Sequence, residues 1–68
     1  MNSIIVYSQP SCPQCKMVKM MLDKKNIKYE VIEDTDLMRT RGIVHTPTLE
    51  VDGVRFVAKP MFDKIKEL

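Results

Sequence analysis

Two cysteines stand two residues apart, at Cys12 and Cys15, with Pro13 and Gln14 between them, and the chain has no others. A dithiol at this spacing can exchange two electrons with a disulfide in two steps. One thiolate attacks to form a mixed disulfide, and the second thiol then resolves it. The attacking sulfur must be available as thiolate, which calls for electropositive surroundings. The neighbouring residues supply them. Ile4-Ile5-Val6-Tyr7 is apolar and mostly β-branched, which favours a strand, and Ser8-Gln9-Pro10-Ser11 breaks it with turn residues. Pro13 suits the first position of a helix, where its missing N–H costs nothing, so Cys12 falls at or beside the N-cap and Cys15 lies one turn inside. Unpaired helix N–H groups and the macrodipole then favour a thiolate at Cys12, and sites of this kind lower a thiol pKa from about 8.5 into the range of roughly 3.5–7.5. Cys12 is the expected nucleophile, and Cys15, shielded one turn in, the expected resolving thiol.

The rest of the chain reads as the frame for this segment. From Pro13 to about Lys25, Met17, Val18, Met21 and Leu22 recur at helical spacing, with Lys16, Lys19, Asp23 and Lys24 for the wet face. Asn26 can end the helix in a left-handed conformation, and Ile27-Lys28-Tyr29-Glu30-Val31 alternates as a half-buried strand does. Strand, helix and strand in such close succession suggest a parallel pair joined by a right-handed crossover. Asp34 or Thr35 can cap a short helix through Leu37, Met38 and Arg41, stopped by Gly42. Thr48-Leu49-Glu50-Val51 and Val54-Arg55-Phe56-Val57 flank Asp52-Gly53, a strong hairpin signal. Pro60 then opens a closing helix with Met61, Ile65 and Leu68 along one face and Phe62 beside them. The order is βαβαββα, an α/β domain with a mixed sheet of about four strands flanked by helices. Residues 1–68 form one domain, without internal repeat, linker or low-complexity segment.

Bulk properties narrow the function. A domain this small buries only about 60% of its unfolded surface, and secreted domains of such size often add several disulfides. A single pair closing so small a loop restrains little of the unfolded chain, so the cysteines are not a staple. Eleven basic against nine acidic residues leave a net charge of +2, and no basic run exceeds Lys24-Lys25, so neither nucleic acid nor an anionic membrane is indicated. The first apolar run is too short for a signal peptide, and no stretch approaches a membrane span. These features suggest a cytoplasmic protein with reduced or cycling thiols, working as a monomer. A zinc site normally needs four ligands, and beyond the pair the chain offers only His45 and carboxylates, so no metal is expected. The six methionines read as core filling, Met17, Met21 and Met61 at helical core spacing. Thr46-Pro47 stands at the entrance of a strand, where a proline is tolerated, and from the residues alone its peptide bond is expected to be trans. His45 beside it could supply charge near the thiolate, though one loop histidine is more often simply solvated.

The strand, Cys12-Pro13-Gln14-Cys15 and downstream Thr46-Pro47 together resemble the thioredoxin superfamily, specifically its small glutaredoxin-like redoxins. The resemblance covers essentially the whole chain: Tyr7 to Cys15 is similar to that family's active-site segment, and Gly42 to Leu49 with Asp52-Gly53 to its substrate loop and hairpin. It implies a minimal thioredoxin fold, a cis peptide at Thr46-Pro47, and that loop lying beside the cysteines. Pro13, Gln14, Thr46 and Pro47 would then meet the substrate, with the Thr46 backbone pairing to an extended segment. The implied activity is dithiol-disulfide exchange that reduces protein disulfides, with no bound cofactor. Glutathione-using members usually carry a lysine where this chain has Gln9, an aromatic residue at Gln14, and a glycine pair followed by an acidic residue at Val57-Ala58-Lys59. Gln14 is more similar to the glutaredoxin-like electron donors of ribonucleotide reductase, which are recycled by thioredoxin reductase, although Phe62 to Leu68 does not match their C-terminal segment. Two alternatives accompany this reading: a glutathione-dependent glutaredoxin, and a carrier of Cu(I) or Zn, since thiolates suit soft metals and small metal carriers also place two cysteines after a first strand. Pro13, the Thr46-Pro47 loop and a helix in last place speak against the carrier.

Overall fold

The computed structural model describes residues 3–68. In chain order the elements are β1 (Ile4–Tyr7), α1 (Pro13–Lys24), β2 (Glu30–Ile32), α2 (Thr35–Thr40), β3 (Thr48–Val51), β4 (Val54–Phe56) and α3 (Ala58–Glu67), the expected βαβαββα. The strands form one sheet in the order β2-β1-β3-β4. β1 runs parallel to β2 and antiparallel to β3, and β3 is antiparallel to β4. A strand flanked on both sides by others and covered on both faces must be apolar throughout, which is why β1 reads as a continuous hydrophobic run.

Alternation along the strands sends their side chains to two separate cores. Ile4 and Val6 of β1 join Leu49 and Val51 of β3, and this face is closed by Val18 and Leu22 from α1 and Met61 and Ile65 from α3. Tyr7 and Ile32 turn the other way and pack with Met38 of α2 and with Ile43. The expected face of α3 is observed, with Met61 and Ile65 buried and Phe62 and Leu68 packed at its edge.

Both short connections after helices use the same device. Asn26 adopts φ 57°, its N–H donates to the Asp23 carbonyl at 3.0 Å, and the Ile27 N–H donates to the Leu22 carbonyl at 3.1 Å. Gly42 repeats this after α2 with φ 76°, its N–H donating to Arg39 O at 3.1 Å and Ile43 N–H to Met38 O at 2.8 Å. This is the Schellman pattern, in which orphan carbonyls are satisfied while an apolar residue past the end packs on one inside it. Ile27 joins the core that holds Leu22, and Ile43 the core that holds Met38. At its other end α2 is capped by Asp34, whose carboxylate accepts from the N–H groups of Asp36 and Leu37.

Four details differ from the sequence-based expectation. Met17 is 53% exposed rather than in the core. The buried stripe of α1 runs through Cys15, Val18 and Leu22, and a residue two past Cys15 lies about 200° around the helix from it. The second strand covers Glu30–Ile32 instead of starting at Ile27. Its register pairs Glu30 with Ile5, so Ile27 and Tyr29 lie at or beyond the end of β1 and pack against the larger core without joining a ladder, while Val31 sits 40% exposed at the edge. β4 ends at Phe56 rather than Val57, and α3 begins at Ala58, with Pro60 inside its first turn, where a missing N–H is still harmless.

The Tyr29 hydroxyl donates to Asp23 at 2.9 Å. Burial first, then this hydrogen bond and the carboxylate's charge, push the phenol above its ordinary pKa. The neutral phenol therefore favours the folded state. That contribution is complete below the ordinary value near 10 and is lost as pH rises through the higher folded value. Unfolding free energy should fall across this alkaline window, and Tyr29→Phe should flatten the fall when urea midpoints are followed against pH.

Candidate functional site

The turn between β1 and α1 is held from both ends. Ser8, fully buried, donates its N–H to Ile32 O at 3.0 Å and its hydroxyl to Glu33 Oε2 at 3.3 Å, and Lys19 reaches the same carboxylate at 3.8 Å. Ser11 then takes φ 62°, a left-handed conformation that redirects the chain into the helix. Cys12 follows as the N-cap with extended backbone, Pro13 occupies the first helical position, and the Cys12 sulfur accepts the Cys15 N–H at 3.2 Å. A sulfur in this place takes over one of the donors that a helix start leaves unpaired, and it sits at the positive end of the macrodipole. The first turn of α1 carries no acidic residue to oppose a negative charge there.

The two cysteines are joined as a disulfide, with Cα atoms 5.2 Å apart. Their exposure is unequal: Cys12 is half-buried, and Cys15 is 1% exposed on the inner stripe of α1. Pro13 and Gln14 are both on the surface.

The second constellation is the loop that leads into β3, whose first residue, Thr48, pairs with Tyr7 at the end of β1. Thr46-Pro47 is a cis peptide, where the residues alone had pointed to trans and the resemblance to cis. The loop is tied down by the buried Thr48 hydroxyl, which donates to the His45 carbonyl at 2.6 Å. Pro47 is buried and Thr46 half-buried. Among the described residues, the Thr46 N–H and C=O have no backbone partner, since the ladder with β1 begins at Thr48. Gln14, Thr46 and Pro47 line a common hollow of about 610 Å³, so the loop and the cysteine motif share a wall. Pro13 does not face it. A second hollow of about 350 Å³ lies on the other side of His45 and Thr46, toward Gln9 and Arg39.

Several residues of these hollows were not singled out as site residues from the sequence. Val57, Ala58, Lys59 and Phe62 form the far wall of the larger one, and Arg39 borders the smaller. Ala58 has φ 55°, a conformation that costs an L-residue about 1–2 kcal/mol. Ala58→Gly should relieve it, offset in part by the extra freedom of glycine in the unfolded chain, for a net gain of about 0.5–1 kcal/mol in a thermal or urea melt. The local signal was present in the contrast with the glycine pair that similar chains carry. Among the described residues, no group of three or more His, Cys, Asp and Glu is placed to hold a metal ion, and no helix is long and apolar enough to cross a membrane.

A four-stranded mixed sheet with the cysteine pair opening the helix after its first strand, and a cis-proline loop leading into the strand beside it, is the minimal thioredoxin fold. The crystal structure of the thioredoxin-like protein BC3987 superposes with a TM-score of 0.77 at 33% identity, covering 96% of this chain and 97% of that one. Within that superfamily the chain belongs to the glutaredoxin family, whose model matches residues 4–56. Glutaredoxin 1 of Rickettsia prowazekii is 49% identical over 37 residues, which make up 54% of this chain and 39% of that protein. The match thus spans well under half the length of that curated relative. An uncharacterized glutaredoxin-like 8.6 kDa protein in the rubredoxin operon of Clostridium pasteurianum is similar along its whole length: 33% identical over 73 residues, 94% of this chain and 97% of that protein.

Proposed function

We propose that the protein is a dithiol-disulfide oxidoreductase that reduces protein disulfides. The observation that carries this reading is the asymmetric pair: a half-buried Cys12 at a helix N-cap, bonded to a Cys15 that solvent barely reaches. In the reduced protein the Cys12 thiolate attacks one sulfur of a substrate disulfide. A mixed disulfide forms, and the other substrate sulfur leaves as thiolate and takes a proton from solvent. Cys15 then gives up its proton and attacks the Cys12 sulfur, releasing the second substrate thiol. Two electrons have passed to the substrate, and the Cys12–Cys15 disulfide remains. Thr46, with its backbone unpaired, presents the substrate by strand addition, while Pro47 and Gln14 shape the surface around it. No bound cofactor is required, because an external dithiol returns the two electrons. The protein belongs in the cytoplasm on this reading, where thiols are kept reduced.

Thioredoxin reductase is the proposed source of those electrons, from Gln14 within the motif and from Lys59 at the position where glutathione-using relatives carry an acidic residue. The test is NADPH oxidation with a protein disulfide substrate, run in parallel with thioredoxin reductase and with glutathione plus glutathione reductase, Cys12→Ser serving as blank. Turnover through thioredoxin reductase alone is expected. Turnover through glutathione alone would make the protein a glutathione-dependent glutaredoxin, and silence in both arms would leave a dedicated reductase or the metal carrier. Ribonucleotide reductase is the first protein substrate to try.

A further inference from the structure

The two hollows meet at His45 and Thr46, one on each side, so that together they make a cleft passing the site. Their linings are uneven in charge. The chain has nine acidic residues, and none of them borders either hollow. Cationic side chains stand at both ends, Lys59 in the larger and Arg39 in the smaller, with His45 between. Lys59 has no carboxylate within ion-pair distance among the described residues. Arg39 has only Asp36 at 3.9 Å, with both side chains over four-fifths exposed, a pairing too solvated to spend its charge. Beside these charges the linings mix apolar side chains, Pro47 and Phe62 in one hollow and Ile43 and the 83% exposed Val44 in the other, with the uncharged polar Gln14 and Thr46.

We infer that the cleft is built for an extended protein segment carrying carboxylate side chains on both sides of its reactive cysteine, with Lys59 and Arg39 as specificity-determining residues. This rests on the dithiol reading and names the substrate class it would act on. A chain laid across Thr46 by backbone pairing places its reacting sulfur before Cys12 and its flanking side chains over the two hollows. Apolar contact along the floor is open to any sequence. The charges at the ends are not, because a lysine or arginine on the substrate would meet Lys59 or Arg39 in a cleft that offers no acid to offset it.

The experiment compares three synthetic peptide disulfides that are identical except for the residues flanking the cysteine: glutamate, glutamine or lysine. The full-length reduced protein is mixed with each in single-turnover format, so that one peptide disulfide becomes two thiols as the Cys12–Cys15 pair is oxidised. At low ionic strength the glutamate peptide should react roughly two- to fivefold faster than the glutamine peptide, and the lysine peptide slower by a similar factor. Added salt should draw the three rates together. Lys59→Glu should remove the preference for glutamate. Equal rates for all three peptides, or a preference that survives Lys59→Glu unchanged, would overturn the inference and leave the dithiol chemistry standing. Failure of the wild-type protein to reduce any of the three would instead refute the dithiol reading.

Discussion

Cys12→Ser should abolish disulfide reduction altogether, and Cys15→Ser should stop the reaction half-way with substrate covalently attached. The two outcomes differ because the sulfurs differ in access and, on the proposed mechanism, in order of use: Cys12 is half-buried at the helix start and Cys15 is on the inner face. Serine is itself a good N-cap, so replacing Cys12 leaves the helix terminus satisfied, and the loss reports the missing thiolate rather than a damaged fold. A hydroxyl is not ionised at neutral pH and cannot form the mixed disulfide. In Cys15→Ser the first attack still succeeds, but nothing adjacent can release the product, and intact-mass measurement after mixing with a disulfide substrate should show the adduct. Full activity in Cys12→Ser would refute the assignment of the nucleophile. An adduct that fails to accumulate in Cys15→Ser would refute that of the resolving thiol.

The largest expected effect on stability comes from Leu49→Ala. Leu49 lies fully buried in β3, opposite Val6 of β1 and Phe56 of β4, in the core closed by both long helices. Removing a buried leucine side chain costs about 2–5 kcal/mol, from lost transfer energy and the cavity left behind. A domain of this length has roughly 3–10 kcal/mol in all, so the variant should be largely destabilised and in part unfolded at room temperature. Urea titration followed by circular dichroism should show the midpoint falling sharply with little change in slope. Met17→Ala is the matched control. Its side chain is 53% exposed on the far side of α1, and the change should stay within about 0.5 kcal/mol. A large loss at Met17 would put the helix in the orientation that its apolar spacing first suggested.

That contrast shows how far the sequence could be read. The cysteine site was legible because its geometry is local: a strand, a turn, a proline at the first helical position and a cap are all specified between Ile4 and Lys16. Asn26, Gly42 and Asp52-Gly53 were legible for the same reason, since a left-handed backbone selects those residues. The phase of α1 was not. Met17, Val18, Met21 and Leu22 fit a helical face, but so do Cys15, Val18 and Leu22, and only the sheet beneath decides between them. The start of β2 depended on where β1 ends opposite it, which no property of Ile27 or Tyr29 reveals. The cleft was hidden for a further reason: Lys59 and Arg39 sit on different helices at its two ends, and only the folded chain brings each beside His45 and Thr46. Their types are ordinary for solvated helix surfaces, so composition carried no sign of them.

The sheet ends in β2 and β4, three residues each, with Glu30 on one margin and Arg55 on the other. If the protein captures extended chains by backbone pairing, as proposed, it is exposed to a hazard, since any unguarded margin could zip onto the same chains or onto its own copies. Three-residue borders offer too few rungs to hold a foreign strand. On the proposed reading capture falls at Thr46, where contact would end when the sulfur exchange is complete, whereas a grip along the margin would have no chemistry to undo it.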